Sequence, residues 1–292
     1  MSIDYIKVIK LNKTLIATII IILVTIVGIY QLSNPKKEIL RISTTTSLED
    51  TGLLEELEAK FEKEYPNIDV QIVSGGTGIA IERGKKGDAD LIIVHDKKRE
   101  EEFINEGYGT KRYPFAYNYF YIVGPKDDPA KINETKTAQE AFQKILTEAG
   151  KNPKIKFVSR GDNSGTHTKE IKIWNKTGID YNKIKESPWY IETGSGMADT
   201  LRVADEKQAY TITDSGTYLA YKNQLNLTVY ISNDSDLLNV YSAIPINPEK
   251  IKGTNYDAAM KFINFLLSKE GQKIISQYGE DKYGKPLFTP LS

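Results

Sequence analysis

Three times along this chain a run of β-branched residues gives way to a cluster of serine, threonine and glycine, and the cluster opens a stretch with helical spacing. The clusters are Ser43-Thr44-Thr45-Thr46-Ser47, Ser74-Gly75-Gly76-Thr77-Gly78 and Ser159-Arg160-Gly161-Asp162-Asn163-Ser164-Gly165-Thr166-His167. Strand, tight turn and helix in that repeated order build an α/β fold, a sheet flanked by helices. The spacing predicts strands over 39–43, 68–73, 90–95 and 117–123, with helices over 53–61, from the second cluster to Arg83, and over 100–106. This β-α-β-α-β order implies a parallel sheet, and the four apolar residues 91–94 read as a strand buried on both faces. The second half repeats the style. Helices are expected over 138–149, after the third cluster to Trp174, and over 196–205, 217–221, 257–268 and 271–278. Strands are expected over 155–158, 209–212 and 241–246.

The start of the chain has a different character. No charged residue lies between Lys13 and Lys36, and 15–32 is almost continuously apolar. A helix needs roughly 20 residues to cross the hydrocarbon. Lys7, Lys10 and Lys13 precede the stretch and keep the N-terminus inside. The expectation is a cytoplasmic segment 1–13 and a membrane anchor or signal segment 14–35. An anchor is favoured, because 28–33 shows no small-x-small cleavage site and the apolar run exceeds a usual signal core. The part from 36 onward is then exported and soluble, long enough for two lobes, with a formal charge of about −2. Asn133, Asn175, Asn226 and Asn233 open glycosylation sequons, whose use depends on the host.

Composition removes several classes. There is no cysteine, hence no disulfide, thiolate metal site or cysteine nucleophile. The 39 basic and 39 acidic side chains balance, which argues against a nucleic-acid binder. Two histidines, His95 and His167, leave little material for a histidine metal centre. No Gly-x-x-x-x-Gly-Lys-Ser/Thr loop is present, so nucleotide work belongs to other proteins.

The three clusters carry the chemistry. A helix N-terminus exposes unpaired N–H groups and roughly half a positive charge. Glycine lets an anion approach the backbone and hydroxyls add donors, so such ends hold a small oxyanion without a basic patch. Each cluster alone also reads as ordinary capping or turn chemistry. Their recurrence at strand-to-helix junctions favours binding, because open α/β sheets hold ligands beyond the carboxyl ends of their strands. Arg160 is the one fixed positive charge, able to fork onto two oxygens or to pair with Asp162. Asp162 discriminates between cargoes. Aimed at the ligand it favours protonated phosphate; capping the helix or orienting Arg160 it favours fully ionised tungstate, molybdate or sulfate, and its position suits the second role. His95 reads as structural, Asp88 and Asp90 as turn residues, and Trp174 and Trp189 as packing. His167 lies in the first turn of its helix. Thr200 and Asp214 cannot be placed by spacing.

At these residues the sequence resembles the substrate-binding components of tungstate ABC transporters. The likeness rests on Thr44 to Ser47, Gly76-Thr77-Gly78, the segment 83–90, Tyr117-Asn118, 122–129, Ser159 to Glu170, 192–197 and 209–220, and spans 38–292. It implies a type II periplasmic-binding-protein fold, two α/β lobes joined by two hinge crossover strands near 117–123 and 237–245. Lobe 1 would comprise 38–120 plus 241–292 and lobe 2 would comprise 121–240. It also implies that Thr44, Thr45, Thr46, Ser47, Gly76, Thr77, Arg160, Ser164, Gly165 and Thr166 hold the oxyanion. The protein then makes no direct bond to the metal, has no cofactor, and performs no catalysis. A monomer would close on the ligand and dock on an ABC permease powered by its ATPase. Asn163 and Thr168 depart from the resemblance, standing where Asp and Lys are usual, and leave metal selectivity open. The rivals are a molybdate, phosphate or sulfate receptor of the same fold, an exported serine hydrolase using Ser47 or Ser164 with His167, and a sensor ectodomain.

Overall fold

The computed structural model describes residues 16, 18–25 and 37–291. Most of the expected anchor 14–35 lies outside the described residues. Residues 16 and 18–25 are helical, and among the described residues no helix is long and apolar enough to cross a membrane. Residues 39–292 form one compact unit.

The first strand, β1 (Glu38–Thr45), runs into a one-turn helix α1 (Thr46–Glu49), then α2 (Leu53–Glu64), β2 (Ile68–Gly75), α3 (Thr77–Lys86), β3 (Leu91–Val94) and α4 (Lys97–Asn105). The apolar spacing of Leu53, Leu54, Leu57 and Phe61 buries one face of α2. β1 and β3 pair in parallel, with Ile42 opposite Leu91. Leu91 and Ile93 pack into one apolar cluster with Leu57, Phe61 and Phe262, while Ile92 and Val94 pack into another with Ala80 and Phe103. The strand is therefore buried on both faces, as its unbroken apolar run requires.

The sheet is mixed rather than parallel. β4 (Tyr113–Pro125) and β9 (Leu238–Pro245) lie antiparallel to each other, and β9 also runs antiparallel to β3. Strand–helix alternation sets the direction only of strands joined by a local crossover. β9 arrives from far along the chain and is free to run the other way. The 13 residues of β4 serve two sets of partners. Tyr113 to Tyr119 pair with β9, whereas Phe120 to Pro125 pair with β7 (Thr211–Asp214) and β8 (Leu227–Ile231). The β4–β9 register shifts between Pro114 and Ala116, where proline has no N–H to donate.

Beyond β4 come α5 (Ala138–Ala149), β5 (Phe157–Ser159), α6 (Gly165–Lys176), α7 (Tyr181–Lys185), β6 (Tyr190–Glu192), α8 (Met197–Glu206) and, after β7, α9 (Ser215–Tyr221). β5 and β6 pair in parallel. Thr137 and Glu140 close a capping box that starts α5 at the expected residue. Phe142, Phe157, Trp174 and Tyr210 form one apolar cluster of this region, and Val123, Val158, Met197 and Leu201 another. The chain ends with α10 (Tyr256–Leu267) and α11 (Lys269–Gln277), divided by Ser268, which accepts from the Gly271 amide at 3.1 Å as N-cap of the second. α12 (Glu280–Tyr283) and the short β10 (Thr289–Pro290), which pairs with β4, follow. β6, β8, α7 and α12 were not expected from spacing; three to five residues carry too little periodicity to register.

Candidate functional site

The first cluster turns β1 into α1, and its hydroxyls are not equivalent. Thr44 Oγ1 donates to the Ile93 carbonyl at 2.9 Å, so that side chain is tied to the sheet. Thr45 Oγ1 accepts from the Leu48 amide at 3.4 Å and caps α1. Thr46 is half-buried at the first helical position. Ser47 is buried, with Oγ 3.3 Å from His95 Nε2.

The second cluster ends β2 and begins α3. Gly76 is the N-cap and supplies no side-chain cap, which leaves the first amides of α3 open. Thr77 is fully buried, and its Oγ1 has no hydrogen-bond partner. A buried hydroxyl without a partner costs about 1–3 kcal/mol.

The third cluster follows β5 and is held in place much more firmly. Gly161 and Asn163 both adopt left-handed φ, +63° and +57°. A Cβ on Gly161 would fall 2.7 Å from Glu192 Cβ, so only glycine fits there. Arg160, 5% exposed, donates from Nε and Nη2 to Asp162 Oδ2 at 3.1 and 2.5 Å. Asp162 Oδ1 accepts from the Ser164 amide at 3.1 Å. Both carboxylate oxygens are thus occupied in capping and in orienting the guanidinium, while Arg160 Nη1 has no bond to the described residues. Ser164 caps α6 through the His167 amide. Thr166, like Thr77, is buried with an unpartnered Oγ1. Thr193 steadies the same turn by donating to the Ser159 carbonyl at 3.2 Å, and Thr200 lies 2.9 Å behind it.

His95 draws the first and third clusters together. Its ring touches Ser47 on one side, and on the other a Cβ added to Gly165 would meet Cε1 at 2.5 Å. Phe120 of β4 and Tyr241 of β9 flank it, with ring centroids 6.3 and 5.0 Å away. Arg99 of α4 reaches across to the third: Nη2 donates to Thr168 Oγ1 at 3.0 Å and Nη1 to the Asn163 carbonyl at 3.3 Å. Asp96 of α4 also faces Lys172 of α6 at 3.4 Å. A cavity of about 570 Å³ opens beside this contact, lined by Gly76, Gly78, Arg99, Asp162 and Asn163. The first and third clusters therefore meet through His95, the second faces the third across this cavity, and among the described residues Thr77 Oγ1, Thr166 Oγ1 and Arg160 Nη1 have no hydrogen-bond partner.

Burial dominates the electrostatics of the site. Burial raises the Asp214 carboxyl above its usual range, against the Thr217 amide and hydroxyl that bond to it and the nearby Arg160 charge. Burial, then the charge of Asp214, raises Asp50. Burial drives His95 down to about 4, so its ring is neutral at neutral pH. The serine–histidine contacts do not make a hydrolase. Among the described residues no carboxylate bonds to the His95 ring, and so low a basicity suits no general base. Ser164 Oγ faces the backbone of His167, not its ring. Among the described residues no group of three His, Asp or Glu side chains could hold a metal ion.

Spacing alone missed three residues of this region and the role of Asp90 at the opposite end of β3. Asp214 is the N-cap of α9 and stands near Arg160. The segment Asp214-Ser-Gly-Thr217 does read as a capping sequence, but nothing local shows what lies across from it. Arg99 and the two-sided contact of His95 have no sequence signal. Asp90 is more than a turn residue: it is 1% exposed, pairs with Arg41 at 2.7 Å and accepts the Asn255 amide at 2.8 Å. Trp174 and Trp189 are packing residues, both buried.

Residues 31–270 match the PBP superfamily domain. The tungstate-binding protein TupA of Peptoclostridium acidaminophilum is 43% identical over 251 residues, covering 85% of this chain and 84% of that protein. The structure of the tungstate-binding protein TupA from Desulfovibrio alaskensis G20 superposes with a TM-score of 0.76 at 39% identity, over 87% of this chain and 99% of that one. That of a tungstate ABC transporter protein from Geobacter sulfurreducens gives a TM-score of 0.72 at 43% identity, over 82% and 99%.

Proposed function

The chain belongs to the PBP superfamily, in the family of the tungstate-binding proteins, and from that membership we propose that it is an extracytoplasmic receptor that captures tungstate for an ABC importer. It binds and releases; it does not catalyse. The lobes are 38–120 with 241–292 and 121–240, and β4 and β9 are the hinge between them. Open lobes admit the dianion, helix ends replace its hydration shell, and closure brings α4 onto α6. The receptor then delivers its cargo to a membrane permease driven by an ATPase. The apolar stretch 14–35 tethers it to the membrane as a monomer.

The observation that carries the cargo assignment is Asp162. Its two oxygens bond to Arg160 and to the Ser164 amide, so the carboxylate is turned to the guanidinium and the helix end rather than offered to a ligand. A dianion that needs only donors is favoured over a hydrogen-bearing phosphate. The oxyanion is held by Thr46, Ser47, Gly76, Thr77, Arg160, Ser164, Gly165 and Thr166, through hydroxyls, amides and one guanidinium. Thr44 and Thr45 act from behind, one tied to β3 and the other capping α1.

Calorimetric titration of the full-length chain with tungstate, molybdate, sulfate and phosphate tests the proposal. Tungstate is expected to bind most tightly and phosphate least. Tightest binding of phosphate would overturn the reading of Asp162, and no binding of any of the four would overturn the receptor.

A further inference from the structure

The third cluster is wired to the protein through two chains of hydrogen bonds, and the link to His167 fixes which ring nitrogen carries the proton. The first starts at the Gly161 amide, which donates to Ser159 Oγ at 3.2 Å; Ser159 donates in turn to Glu170 Oε2 at 2.6 Å. The second starts at the Asn163 amide, which donates to His167 Nδ1 at 3.0 Å. A backbone amide can only donate, so Nδ1 must be bare and the ring proton must sit on Nε2. Nε2 then donates to Tyr181 Oη at 2.8 Å; Tyr181 Oη lies 2.9 Å from Tyr190 Oη and 3.3 Å from Glu192 Oε1, and Tyr190 donates to Glu170 Oε1 at 2.5 Å. Both chains therefore end on one fully buried carboxylate, which Trp174 Nε1 also supports at 3.1 Å. The two amides are those of the two left-handed residues that bracket Asp162.

We infer that His167 is a positioning residue for the oxyanion site: as a neutral ring protonated on Nε2, it holds the Asn163 amide through Nδ1 and, with Tyr181, Tyr190 and Glu170, fixes the turn that presents Arg160. His167 does not touch the ligand by its charge. An imidazolium would set an Nδ1–H against the Asn163 N–H and release that end of the turn. The groups facing the ring are Arg160 and Asp162 of the turn, Tyr181 and Lys185 of α7, and Glu192 of β6, and burial outweighs the two carboxylates in disfavouring the charged ring. The effect on cargo rests on the receptor reading above; the assignment of the ring proton does not.

The test uses the full-length chain with nitrogen-labelled histidine. With two histidines in the whole sequence, the His167→Asn spectrum identifies the His167 ring by its disappearance. The expected result at pH 7 is a neutral His167 with a protonated Nε2 and a bare Nδ1, with or without tungstate. A proton on Nδ1, or on both nitrogens, would overturn the inference whatever the ligand does. The second arm compares tungstate affinity in two variants checked for cooperative unfolding. His167→Asn keeps an acceptor close to the Nδ1 position; His167→Leu keeps bulk and loses the acceptor. Leu should weaken binding about tenfold while Asn stays within about threefold. Equal loss in both, or loss in neither, would overturn the positioning role. If the parent chain binds no oxyanion, the receptor reading fails and the ring-proton result still decides the wiring.

Discussion

On the side of the site formed by the first two clusters the donors are hydroxyls and helix-end amides; on the side formed by 159–167 a guanidinium, a carboxylate and a neutral histidine share one turn. The first side is anchored by sheet pairing: Thr44 bonds to β3, and β1 and β3 lie in a sheet buried on both faces. The second is anchored by side chains. β5 is only three residues long, and its turn depends on Asp162, Ser159, His167 and Thr193 for its shape. A turn carried by a large sheet can lose one hydroxyl and keep its form. A turn carried by a network moves when one member is removed.

The largest expected effect separates the two sides directly. Arg160→Ala removes the buried cation of the third cluster and leaves Asp162 without its charged partner, which should weaken tungstate binding by about 100-fold or more. Thr77→Ala, on the sheet-anchored side, removes one neutral donor and should cost only about 5-fold. Calorimetry on both variants measures the contrast, and similar losses would erase the distinction between the sides.

A smaller effect is expected where the two sides meet. Gly165→Ala places a Cβ 2.5 Å from His95 Cε1. Overpacking of this kind costs about 1–3 kcal/mol. The cost falls on the state in which the two sides touch, so ligand dissociation should accelerate while thermal stability of the unliganded chain changes little. Stopped-flow release of tungstate is the measurement. An unchanged release rate would mean that the clusters need not approach this closely to hold the ligand.

The smallest effect concerns the buried acid on each side. Burial raises both Glu100 and Glu170 to about 7. Glu100 is paired with Arg112, whereas Glu170 has only neutral donors. A carboxyl raised in the folded state contributes stability that is complete below its unfolded value near 4.5 and is lost as pH rises through about 7. Glu170→Gln should therefore raise the melting temperature at pH 8 relative to its effect at pH 4.5. Glu100→Gln should give no such gain, because Arg112 is left without its partner. Calorimetric melting at the two pH values distinguishes them, and parallel behaviour would show that the ion pair makes no difference.

Much of this was readable in the chain. α5 begins where Thr137 and Glu140 say it should, the three clusters stand at strand-to-helix junctions, and the run 91–94 is a doubly buried strand. Helical spacing, caps and apolar runs act over a few residues, so the order of the letters carries them. Which hydroxyl remains free was not readable. Thr44 and Thr77 are the same side chain at two of the three junctions, yet one bonds to Ile93, 49 residues away, and the other to none of the described residues. The mixed direction of the sheet, the contact of His95 with Ser47 and Gly165, and the chain from His167 to Glu170 are of the same kind. Sequence by itself determined the elements and the residue types at their junctions, because those follow from local backbone preference and burial pattern. Only the tertiary structure decided which donors are spoken for, because a hydrogen bond formed between strangers in sequence depends on where packing sets them down.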